Sequence, residues 1–167
     1  GGEALPTEPS FGHLFAGLVQ LADWLGSDTR FFPFTRPGQN RAYEAQGMAA
    51  RAVNAVGLNV ENWRDALAAR TPSFADAFNV PAPHPIQAAM SDDSLGALVI
   101  LESETGSGKT EAALWRYVHL FNAGLVDSLY FALPTRVAAT QLYKRVENTL
   151  RRLWPDNPPV VVRALPG

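Results

Sequence analysis

An α/β fold is predicted for this chain: N-terminal helices followed by an incomplete parallel sheet of about three strands. Three observations predict it. Apolar residues recur at helical spacing through the first part of the chain. A stretch holding Pro72, Pro81, Pro83 and Pro85 then interrupts the pattern. Beyond it, short continuous apolar runs alternate with longer amphipathic segments, in the order strand–helix–strand–helix–strand.

Residues 10–26 read as the first helix, with Ser10 as its N-cap and Gly26 ending the last turn. Phe11, Leu14, Phe15, Leu18, Ala22 and Leu25 place one strongly apolar face on it, widened by Val19 and Leu21. Phe31 to Gly38 is an irregular connection whose Phe residues are expected to pack. A second, Ala-rich helix spans 40–56, and a short third spans 61–69 with Glu61 or Asn62 near its start. Thr71 to Pro85 reads as a boundary. A short helix follows at 86–90. Ala97-Leu98-Val99-Ile100-Leu101-Glu102 has the continuous apolar character of a buried parallel strand. A helix is expected from Lys109 to about Ala123, stopped by Gly124. The second strand is 128–133, the next helix 136–153, and the third strand 160–165.

Composition bounds the function classes. Of 167 residues, 47% are hydrophobic and 18% charged, as in an ordinary globular protein. A net charge of −2 argues against a protein that coats duplex nucleic acid, while leaving room for a narrow basic track. There is no cysteine, which excludes disulfides and thiolate metal sites and fits a reducing cytoplasm. The apolar runs fall well short of the roughly 18 residues a membrane span needs. The first residues, Gly1 to Pro6, have neither a basic start nor an apolar signal core.

The strongest chemical signal is Ser103-Glu104-Thr105-Gly106-Ser107-Gly108-Lys109-Thr110, lying between an apolar run and a helix. Glycine lets successive N–H groups converge on a phosphate, and the helix N-terminus adds positive potential. Lys109 is placed to reach the β- and γ-phosphates of ATP, and the Thr110 hydroxyl to ligate Mg²⁺. Thr105, Gly106, Ser107, Gly108 and Glu111 complete the loop and the first turn after it. Ser103 stands where the usual pattern has glycine. Gln87, upstream and preceded by Pro85, presents a donor and an acceptor that match adenine; otherwise it is a surface glutamine on a short helix. Leu133-Pro134-Thr135-Arg136 follows the second apolar run. Its helix N-terminus, Thr135 and Arg136 suit a nucleic-acid phosphate, with Gln141, Lys144 and Arg145 extending the contact; alternatively they are a capping turn and a solvated helix face. Asp23 is either a metal ligand or a helix-end hydrogen-bonding group. His13 lies too far from it to share a metal, roughly 15 Å along the helix.

Together these segments resemble the CRISPR-associated helicase–nucleases of type I interference systems, which join an HD nuclease to a superfamily 2 helicase. Ala16 to Ser27 looks like the closing helix of the nuclease domain, with Asp23 matching a metal-ligand Asp. Phe74 to Phe78 and Pro85-Ile86-Gln87 look like the entry to the motor. Glu102 to Leu114 is similar to its nucleotide-binding motif, and Tyr130 to Arg136, with Gln141 and Arg145, to the next helicase motif.

The resemblance implies a division into 1–32 (end of the nuclease domain), 33–84 (linker and helices) and 85–167 (start of the first RecA-like domain). It implies ATP, Mg²⁺ and a divalent transition metal as cofactors. It implies single-stranded DNA and an RNA-guided surveillance complex as partners, in antiviral defence. The other metal-ligand histidines, the acidic box that activates water and the arginine finger have no counterpart here. The expectation is therefore a middle piece of a longer protein that binds nucleotide weakly, hydrolyses it negligibly, and either self-associates or folds its N-terminal helices back on the sheet. A small P-loop phosphotransferase and a non-catalytic interaction module are the alternatives.

Overall fold

The computed structural model describes residues 5–34 and 41–165. They divide into two compact units, Gly1–Asn59 and Val60–Gly167.

The first unit holds α1 (Pro9–Ser27) and α2 (Arg41–Ala55). Helix α1 starts a residue earlier than expected. Pro9 takes the first helical position, where its missing N–H costs nothing, and Glu8 is the N-cap, so Ser10 lies inside the helix. The helix closes at Asp28, whose carboxylate accepts from the backbone N–H of Arg30 at 2.9 Å and pairs with its guanidinium at 2.6 Å. That pairing holds the Asp28 carboxyl below its ordinary range. No residue of α1 is buried, and Phe11 and Phe15 stack on each other at 5.9 Å. In the Phe31 to Gly38 connection, Phe31 and Phe32 are half-buried but Phe34 is exposed, so its expected packing is not found; residues 35–38 lie outside the described residues, as does Asn40 at the expected start of the second helix.

The second unit holds α3 (Glu61–Arg70), α4 (Phe74–Phe78), α5 (Pro85–Ala88), a 3-10 turn (Ala89–Ser91), α6 (Lys109–Asn122) and α7 (Arg136–Leu153). Leu67, Ala77, Val118, Phe121, Leu150, Leu153 and Trp154 form its core. Each large apolar side chain buried there contributes about 1.5–3 kcal/mol. Polar groups at the helix ends are satisfied by arginines. Arg64 of α3 donates to the carbonyls of Phe121 (2.9 Å) and Val126 (3.3 Å), lies 5.0 Å over the Phe121 ring, and pairs with Glu61 and Asp127. It thus supplies both the cation and the donors that the C-terminus of α6 needs. Arg70 does the same for α7, donating to Leu153 O at 2.7 Å. The Trp154 indole donates to Trp63 O at 2.7 Å, joining α3 to the end of α7.

The expected three-strand parallel sheet is not formed. Among the described residues no segment is a strand, and the unit is helical with extended connections. Residues 97–102, 128–133 and 160–165 run without a ladder, and Leu98, Ile100, Tyr130, Val160 and Val162 are 78% to 85% exposed. The physical reason is that an apolar run carries only propensity for a strand. A strand exists through pairing with a neighbour and burial of its faces. Here Val118 and Phe121 of α6 and Leu150 and Leu153 of α7 are buried in a helical core with Leu67 of α3 and Ala77 of α4, and none of the three runs pairs with a neighbour.

Candidate nucleotide-binding site

The loop between Ser103 and α6 is shaped by two glycines in the left-handed region, Gly106 (φ 86°) and Gly108 (φ 82°). Gly108 is the N-cap of α6 and offers no side chain to the first N–H groups of that helix. The N–H of Ser107 donates to Glu104 O at 3.3 Å, closing the turn. The Lys109 ammonium folds back over the loop and donates to the carbonyls of Ser103 and Glu104, both at 2.7 Å. Ser107 Oγ is buried with no hydrogen-bond partner among the described residues. A hydroxyl so placed in a glycine-rich turn fits a phosphate-binding loop, whose anion would supply the acceptor.

Behind the loop stands Gln87, 4% exposed. Its Oε1 accepts from the His84 N–H at 2.8 Å, capping α5, and its Nε2 donates to Gly108 O at 3.2 Å. Both ends of the amide are engaged, so Gln87 is a strut under the loop, not the surface glutamine that was one expectation. Reading adenine would require it to exchange these bonds. Arg116 of α6 donates to the carbonyls of Met90, Asp92 and Leu95, tying the segment that precedes the first apolar run to α6.

Thr110 and Glu111 open α6, and here the structure adds a residue that sequence reasoning placed elsewhere. Arg145 of α7 donates from Nη1 to Thr110 Oγ1 at 3.4 Å, and its Nη2 pairs with the Glu111 carboxylate. No local signal marks this, because the partners are 34 and 35 residues apart.

The first turn of α7 forms a separate feature. Thr135 is its N-cap, its hydroxyl accepting from the Ala138 N–H at 3.2 Å. Pro134, Thr135, Arg136 and Gln141 are exposed, and Arg136 and Gln141 line a shallow recess with Val137 and Thr140. Arg163, from the last extended run, donates to Thr140 Oγ1 at 3.0 Å and adds a second guanidinium to this face. Asp23 is exposed on α1. Among the described residues no three His, Cys, Asp or Glu side chains gather as a metal site would require, so Asp23 belongs to no such group there.

The chain is similar to the CRISPR-associated endonuclease/helicase Cas3 of Thermus thermophilus, at 37% identity over 144 residues, 81% of this chain and 15% of that protein. It is similar to the CRISPR-associated endonuclease/helicase Cas3 of Escherichia coli K12, at 33% over 158 residues, 87% of this chain and 17% of that protein. The CRISPR-associated nuclease/helicase Cas3 of Streptococcus thermophilus matches at 25% over 154 residues, 86% of this chain and 15% of that protein. The chain thus spans 15% to 17% of the length of these relatives. No protein-family model matches it, and no solved structure does.

Proposed function

We propose, from the premise that this chain is over most of its length a relative of the CRISPR-associated endonuclease/helicases, that it is the ATP-binding segment of an ATP-dependent DNA helicase and nuclease of CRISPR defence. The observation that carries this reading is the loop itself: two left-handed glycines, an uncapped helix start and a lysine poised over the turn. The backbone N–H groups of the turn would receive phosphate oxygens, and Lys109 would exchange its two carbonyl partners for the phosphate charge. Magnesium supplies charge neutralisation when bound with the nucleotide, and Thr110 is the residue that would hold it. Gln87 keeps Gly108 in place. At the start of α7, Pro134, Thr135, Arg136 and Gln141 offer a backbone contact to single-stranded DNA, supported by the exposed recess and the helix N-terminus. Asp23 belongs to the nuclease reading by resemblance alone; the described residues do not fit a transition-metal site, and no step is derived from it.

The chain alone is expected to bind Mg-ATP weakly and to turn it over more slowly than about 1 s⁻¹, below the usual enzyme range. Titration calorimetry of the chain against its Lys109→Ala variant tests the reading. Loss of a charge-assisted hydrogen bond, about 1.5–3 kcal/mol, corresponds to a roughly 10- to 100-fold weaker affinity. Equal affinity of the two proteins would remove the loop from the nucleotide site.

A further inference from the structure

We infer that Arg145 is a positioning residue that couples the nucleotide loop to the nucleic-acid face at the start of α7. This rests on the functional reading above and adds to it a mechanical link between the two sites. Helices α6 and α7 are joined through their C-terminal halves, where Val118 and Phe121 pack with Leu150, Leu153 and Trp154, and the Phe121 and Trp154 rings meet edge-on at 5.9 Å. Their N-terminal ends serve different ligands: Lys109 and Thr110 on α6, Thr135 and Arg136 on α7.

Between the shared core and these ends, the Arg145 guanidinium spans two successive residues of α6. It holds the Thr110 hydroxyl with one nitrogen and the Glu111 carboxylate with the other. The Arg145 side chain is 52% exposed and that of Glu111 22%, and such a pair adds little to folding stability. Its position is what gives it a role. Thr110 is the hydroxyl that the nucleotide reading assigns to the metal, so occupation of the loop changes the acceptor that Arg145 holds. Arg145 sits nine residues, roughly 14 Å, along α7 from Arg136. A helix is stiff over that length and anchored at its far end by the core. Displacement at Arg145 therefore reaches the first turn of α7, and by linkage a strand bound there acts back on the loop.

The test uses the full chain, a fluorescent ATP analogue with Mg²⁺, and a short oligothymidylate. Nucleotide affinity is titrated with and without saturating oligothymidylate. In the native chain the oligonucleotide is expected to shift the nucleotide dissociation constant about fivefold or more. In Arg145→Gln the shift should fall below about twofold while each ligand alone still binds. Arg145→Lys, whose ammonium reaches Glu111 without spanning both acceptors, should lie between them and also covers the case of a misfolded Gln variant. A merely structural role would weaken both ligands and leave the shift intact. That result, or a native chain with no shift, overturns the inference while sparing the functional reading. A native chain that binds neither ligand overturns both.

Discussion

Gly108 shows how much one position can carry. Its backbone is left-handed at φ 82°, it stands at the N-cap position of α6 without a capping side chain, and its carbonyl accepts from Gln87. A Cβ there would fall well inside van der Waals contact with Gln87 Nε2, so the glycine is required by conformation and by space. Gly108→Ala is expected to destabilise the chain by about 1–3 kcal/mol, the usual range for a residue forced into a sparse backbone region. It should also weaken nucleotide binding. Urea unfolding followed by circular dichroism checks the first part; an unchanged midpoint would mean the loop relaxes freely around the new methyl. The glycines were legible in the sequence because spacing and flanking residues are local. The partners of Arg145 were not. A helix-face arginine reads the same whether it meets solvent, a phosphate or Glu111, and only the packing of α6 with α7 decides.

The same division holds for the elements. The bounds of α6 and α7 are close to those expected, because Gly108 and Thr135 are local start signals and Gly124 follows the end of α6. Helix α4 was missed. Five residues flanked by prolines are too few for a periodic pattern, although Ser73 and Asp76 have the spacing of a capping box. The three apolar runs were read as strands because their composition fits, yet pairing is a non-local property and no partner forms.

The capping box is testable. The Ser73 hydroxyl and backbone N–H hold the Asp76 carboxyl below its ordinary value near 3.8. A depressed carboxyl contributes stability above its unfolded pKa and loses it as pH falls through the lower folded value. The cap should therefore be intact from pH 5 to 8 and weaken only below about pH 4. Ser73→Ala should cost about 1 kcal/mol at neutral pH. The gap between native and variant urea midpoints should narrow at pH 3; a constant gap would argue that Asp76 has no part in the cap.

At the scale of the molecule, each unit leaves apolar surface in water. In the first unit Leu14, Phe15, Leu18, Val19 and Trp24 are exposed on α1, and in the second the extended runs expose Leu98, Ile100, Tyr130, Val160 and Val162. Contiguous apolar surface of this kind favours association, since each such side chain gains about 1.5–3 kcal/mol on full burial. Sedimentation velocity is expected to show an apparent mass that rises with protein concentration. A single monomer species across micromolar to millimolar loading would count against it.

The placement of the tryptophans has an optical consequence. Trp24 is 80% exposed on α1, whereas Trp154 is 3% exposed in the core of the other unit. An indole in water emits at longer wavelength and meets an ionic quencher such as iodide; one sealed among Leu153 and Phe121 does neither. Trp24 therefore supplies a red, quenchable part of the emission and Trp154 a blue, protected part, with the half-buried Trp63 and Trp115 between them. Covering the helix face and melting the core leave opposite colour changes in the same spectrum.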